Sequence, residues 1–157
     1  MADICRKLEG IPLAIELAAA RVGSLAVAEI ASRLEDSLGL LTGGSRTASP
    51  RQRTLSGALD WSHDLLGDPE QILFRRLSVF AGGCTLGAPE MIVLDDRLSG
   101  KSDVVGPLSG LVDKSLVLTG GTGDGKMRYG MLEPVRQYGL KRLDESGETD
   151  DIRRRHA

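Results

Sequence analysis

Ser115-Leu116-Val117-Leu118-Thr119 and Met127-Arg128-Tyr129-Gly130-Met131, joined by Gly120-Gly121-Thr122-Gly123-Asp124-Gly125-Lys126, decide the fold of this 157-residue chain. The two flanks are strand-like runs, and the glycines between them supply turn conformations, so the stretch predicts a β-hairpin with a loose tip. Helical periodicity surrounds it. Leu55, Leu59, Trp61 and Leu65-Leu66 mark one helix, and Asp68-Pro69-Glu70 opens another as a cap followed by a proline in the first turn. Ile72, Leu73, Leu77 and Phe80 are its expected buried face, with Gly82-Gly83 as its end. A short helix over about 88–94 carries Pro89 in its first turn. Val104, Leu108, Leu111 and Val112 line one face of the next helix, which stops at Lys114. After the hairpin, a last helix begins at Glu133-Pro134, buries Val135, Tyr138 and Leu143, and ends near Ser146-Gly147. Three helices followed by a hairpin predict a winged helix.

Upstream, Gly10 suits the left-handed position that ends one helix, and Pro12 suits the first position of the next, where its missing N–H costs nothing. Ile4, Cys5 and Leu8 share the face of the first of these helices; Leu13, Leu17 and Ala20 share a face of the second, expected to reach about Val22. Ser24 then caps a third, with Ala28, Ala31, Leu34 and Leu38 at helical spacing. Residues 43–53, Gly-Gly-Ser-Arg-Thr-Ala-Ser-Pro-Arg-Gln-Arg, hold no acidic and no large apolar side chain, the composition of a connection. The expected organisation is therefore a helical domain over 1–45, a linker over 46–53, a winged-helix domain over 54–146 and a charged tail over 147–157. The fold class is mainly α: a small helical bundle followed by a winged helix-turn-helix with a two-stranded wing.

Composition narrows the function. A net charge of −2 and a pI near 5.7 exert no global pull toward nucleic acid or an anionic membrane. No apolar run approaches the roughly 20 residues of a bilayer span, and Asp3, Arg6, Lys7 and Glu9 stand where a signal peptide needs an apolar core, so the expected location is the cytoplasm. Cys5 and Cys84 match no metal spacing and no disulfide scaffold, and read as small apolar side chains in a reducing compartment.

Gly120 to Lys126 formally satisfies Gly-x-x-x-x-Gly-Lys. A phosphate loop, however, needs a following helix and a Ser or Thr after the lysine, and here Met127 opens a strand. His63 and His156 have no Cys or carboxylate at ligand spacing. Asp60, Asp64 and Glu70 read as a solvated helix face, Arg75-Arg76 as a helix flank and Arg153-Arg154-Arg155 as part of the tail. No catalytic constellation emerges, and the expectation is a non-enzyme with no metal site. The helix ending at Lys114 occupies the recognition slot of the winged helix. Its polar positions are Asp103, Ser109, Asp113 and Lys114, so the groove-facing surface is nearly free of Arg, Asn and Gln and carries two acids.

Several stretches together carry a family resemblance: Gly10-Ile11-Pro12-Leu13-Ala14, Leu41-Thr42-Gly43-Gly44, Asp60-Trp61-Ser62, Leu73 through Gly83, Leu111 through Val117, Leu132-Glu133 and Val135-Arg136-Gln137-Tyr138. They resemble the helical and winged-helix subdomains of bacterial STAND (NB-ARC-like) regulatory ATPases, many of which carry LuxR-type or other helix-turn-helix effectors. The resemblance implies that Gly10 and Pro12 contact the adenine side of bound ADP or ATP, and that the winged helix acts as a lid reporting which nucleotide is present. Leu132 occupies the slot where many relatives place a phosphate-sensing histidine, and a leucine cannot donate that hydrogen bond. The P-loop and the magnesium-binding acids of the family have no counterpart in this sequence, so no cofactor is expected for the chain by itself. Its expected partners are a nucleotide-binding domain and C-terminal helical repeats of the same or a related protein, with no membrane.

Three functions follow as expectations. The first is a non-catalytic regulatory segment of a transcription-linked signalling ATPase. The second is a DNA-binding winged helix, with Lys114, Lys126 and Arg128 on helix and wing as phosphate contacts. The third is a stand-alone protein-interaction module.

Overall fold

The computed structural model describes residues 2–8, 10–41, 50–89 and 104–156, the side chains of 35–41 and 50–52 excepted. In chain order the elements are α1 (Ala2–Lys7), α2 (Pro12–Ala19), α3 (Val27–Leu41), α4 (Pro50–Asp64), α5 (Asp68–Leu77), β1 (Cys84–Thr85), α6 (Val105–Asp113), β2 (Leu118–Gly121), β3 (Met127–Gly130), α7 (Glu133–Ser146) and α8 (Thr149–His156). They form two compact units, residues 1–66 and 67–157.

The regular elements in the described part of the first unit are all helices. Gly10 takes φ +66°, and a Cβ there would meet no heavy atom within 4 Å, so its requirement is conformational rather than steric. Its N–H donates to Cys5 O at 3.1 Å, closing α1, and Pro12 then starts α2. Ile4, Leu8, Ala14, Leu17, Ile30 and Leu34 are buried. Ser24 does not cap α3: its hydroxyl donates back to Arg21 O at 3.2 Å, and the helix begins only at Val27. The buried face of α3 consequently runs through Ile30 and Leu34, while Ala28 is exposed and Ala31 half-buried. The Leu38 side chain and residues 42–49 lie outside what is described.

Helix α4 packs against α2 and α3 and belongs to the first unit, through buried Ala58, Leu59 and Trp61. The buried guanidinium of Arg21 joins in, donating to Ser62 O at 2.9 Å and to its Oγ at 3.4 Å. The division between units thus falls at 66/67 rather than in the stretch 46–53, of which residues 50–53 are helical.

The second unit runs α5–β1–α6–β2–β3, followed by α7 and α8, and is a winged helix. Gly67, not Asp68, is the N-cap of α5; it has no side chain to offer, and Glu70 Oε2 instead accepts the Gly67 N–H at 3.0 Å. Leu73, Phe74 and Leu77 of α5, Leu108 and Leu111 of α6, and Val135 of α7 are buried, with α5 packed on both α6 and α7. Of the expected helix 88–94, only Ala88 and Pro89 are described, and both are helical.

The wing is one strand richer than the hairpin alone. Strand order is β1-β3-β2, all antiparallel, with Cys84 opposite Tyr129, Thr119 opposite Tyr129, and Gly121 opposite Met127. Gly83, at φ +78°, admits β1: a Cβ there would lie 2.5 Å from Tyr129 O. At the C-terminus the expected charged tail is instead helix α8, entered through Gly147 in the left-handed conformation and anchored by fully buried Ile152.

Candidate functional site

Helix α6 and the β2–β3 wing are the parts of a winged helix that meet a partner, and their chemistry follows from residue type and pairing. The outward positions of α6 are Val105, Gly106, Ser109 and Asp113, all exposed, with Val105 54% accessible. Between this helix and the sheet face carrying Thr119 and Tyr129 lies an open cleft of about 160 Å³, lined also by Leu86, Val105, Leu108 and Val112, with Asp113 in its wall. The cleft mixes aliphatic side chains with the polar groups of Ser109, Thr119 and Tyr129, and its one charged group is the Asp113 carboxylate, which repels phosphate.

The three cations expected to touch DNA are not equivalent. Lys114, at the end of α6, is bound by Glu70: its Nζ donates to both carboxylate oxygens at 2.6 Å. Glu70 lies directly over Gly110, where any Cβ would come within 2.0 Å of Oε1, so the glycine makes room for the carboxylate that holds the lysine. Arg128 is turned back onto the loop before β1, with Nε and Nη2 donating to Gly82 O at 3.0 and 2.6 Å. Lys126 at the wing tip is 71% exposed and lies 4.0 Å from the Asp124 carboxylate. Lys126 and Arg128 are both exposed, but the Arg128 guanidinium is taken up by Gly82 O, whereas Lys126 reaches only the nearby Asp124 carboxylate.

The glycine-rich tip is an ordinary hairpin loop. Thr122 N–H and Oγ1 both donate to Lys126 O, at 2.9 and 2.8 Å, and Gly125 N–H donates to Thr122 O at 3.0 Å. Asp124, hydrogen-bonded first by Thr122 and then by the Lys126 N–H, is held below the usual carboxylate range. A loop whose amides close on its own carbonyls and that flanks a carboxylate has no cradle for phosphate.

The residues assigned by resemblance sit apart in sequence and unit. Gly10 and Pro12 are exposed at the α1–α2 corner of the first unit; Leu132 is exposed at the N-cap of α7 in the second. Beside Leu132, Glu133 accepts from Arg136 and then Gln137, and these hydrogen bonds hold its carboxyl at about 2. Burial pushes the Cys84 thiol up to about 11 against the opposing pull of Arg128, so it remains protonated at neutral pH. Among the described residues no three His, Cys, Asp or Glu side chains gather as a metal site, and no helix is long and apolar enough to cross a membrane.

Sequence reasoning missed one cluster altogether. Arg76 is 1% exposed, and together with Arg75 it binds Glu148: Arg75 Nε donates to Oε2 and Arg76 Nη2 to Oε1, each at 3.0 Å. Burial raises the Glu148 carboxyl, but the two guanidinium partners outweigh it and hold the group at about 2. The partners lie 72 and 73 residues apart, beyond any local spacing rule.

A family model described as a winged helix-turn-helix domain matches residues 66–144. The chain belongs to this family. The winged-helix match starts at the boundary of the second unit and stops before α8. A protein of Mycobacterium tuberculosis and one of Mycobacterium bovis, each provisionally named an HTH-type transcriptional regulator, are 51% identical over 154 residues. That alignment covers 98% of this chain but 17% of each of those proteins. A second Mycobacterium bovis protein, named only as uncharacterized, is 41% identical over 154 residues, which is 39% of its length.

Proposed function

We propose that this chain works in transcriptional regulation as the winged-helix segment of a longer regulator, and that its winged helix faces protein rather than reading bases. The observation that carries the reading is the chemistry of α6. Its exposed positions are aliphatic, small or acidic, its terminal lysine is held by Glu70, and the one charged group of the adjoining cleft is the Asp113 carboxylate. The commonest base readout in a major groove is made by Arg, Lys, Asn or Gln side chains directed outward, and α6 presents none of these free of a partner. The relatives' names support a role in transcription, and the 17% of their length that the chain spans supports a part played within a larger protein.

The finer reading is the one implied by the resemblance to STAND regulatory ATPases: a non-catalytic, cytoplasmic lid in which Gly10 and Pro12 meet the adenine of ADP or ATP held by a separate nucleotide-binding domain. The exposed Gly10–Pro12 corner supports it. Substituting Pro12→Ala in the intact regulator is expected to speed ADP release; an unchanged release rate would remove Pro12 from the nucleotide contact.

A second reading, direct DNA binding, draws on family membership and on Lys126, which projects from the wing where a phosphate can reach it. Fluorescence anisotropy of labelled duplexes at about 50 mM salt separates the two, because phosphate contacts are strongest at low salt. The protein-facing reading expects no saturable binding. Binding that weakens steeply with salt and is lost in Lys126→Ala would overturn it in favour of DNA contact through the wing.

A further inference from the structure

We propose that α8 is a detachable strap, latched to α5 by Glu148, that opens as a unit while the helices beneath it stay folded. Two anchors hold it. Ile152, with no exposed surface, packs on Leu143 with Val79 and Phe80 around them, and the His156 ring meets Phe80 edge-on at 4.8 Å between centroids. The other anchor is Glu148 itself. Its carbonyl accepts the Ile152 N–H at 3.0 Å, while its carboxylate binds Arg75 and Arg76 of α5.

One residue therefore both starts the strap and ties it down. Gly147, at φ +75°, supplies the corner about which it turns. The rest of α8 is polar: Asp150, Arg153 and Arg154 face solvent, and Ile152 is its one buried side chain. Opening gives up that contact and the ion cluster, and Leu73, Phe74, Leu108, Leu111 and Val135 are buried outside the cluster that Ile152 joins. Segments held by so few buried contacts open at lower free energy than the core they cover. The strap stands whether the wing meets protein or DNA.

Amide hydrogen exchange on the full chain tests this. Amides of Ile152 to Arg155 should exchange at least about tenfold faster than those in the middle of α5 and α7, as sub-global opening requires. Ile152→Ala, which leaves the Glu148 cluster intact, should speed α8 about tenfold further while α5 and α7 keep their wild-type protection. Should that variant fail to fold, Ile152→Val decides, with the same direction and a smaller factor. Exchange of α8 in step with α5 and α7, loss of protection in all three helices together, or an unchanged α8 in the variants would overturn the strap.

Discussion

Gly139 and Ser115 show how much a single position can hold. A Cβ on Gly139 would lie 2.8 Å from Ser78 Cβ and 3.6 Å from the Phe74 ring, because α7 crosses α5 at that glycine. Gly139→Ala should lower stability by about 1–3 kcal/mol, the usual range for overpacking, seen as a reduced denaturation midpoint at unchanged slope. Ser115 sits at φ +59° where the chain leaves α6, a conformation that costs an L-residue roughly 1 kcal/mol. Ser115→Gly should therefore raise the same midpoint slightly, after the entropy that glycine adds to the unfolded chain is subtracted. At this scale the sequence made Gly10, Pro12 and Gly147 legible, since each acts through its own backbone. Arg76 was not legible: two adjacent arginines read as a helix flank, and only a distant carboxylate makes burial of one of them tolerable.

At the scale of elements, helices and hairpin were readable from periodicity and turn chemistry, and the corrections have a common cause. Strand β1 is two residues long, too short to show a period, and it exists because Gly83 lets it reach β3. Helix α8 looked like a tail because it carries one apolar anchor among charges. Its latch has a definite pH signature. Glu148 titrates at about 2 when docked and near the ordinary 4.5 when free, so the free form binds more protons between those values. The stabilisation is complete above about 4.5 and is lost as pH falls through about 2. Protection of α8, corrected for intrinsic exchange rates, should decline across that window in the wild type and show a flattened dependence in Glu148→Gln.

For the whole molecule, composition puts the domain boundary in the stretch 46–53, whereas packing puts it at 66/67. Helix α4 carries the apolar pattern of a winged-helix component, yet it packs on α2 and α3, with Ala58, Leu59 and Trp61 buried. Residues 67–157 alone should therefore fold, giving a dispersed amide spectrum and a cooperative denaturation curve. A fragment opened at residue 54 should gain no stability over it. An unfolded 67–157 fragment would show that the two units are one cooperative body.

The sequence by itself determined the mainly helical class, the hairpin wing, the α1–α2 corner and a recognition helix nearly free of Arg, Asn and Gln, because all of these depend on neighbours within a few residues. Only the tertiary structure decided which unit owns α4, that Lys114 and Arg128 are tied down by Glu70 and Gly82, and that α8 is clamped by Arg75 and Arg76. Those outcomes rest on contacts between residues 44, 46 and 72 positions apart. Such pairs are selected by the free energy of burying charge and apolar surface together, which no local pattern encodes.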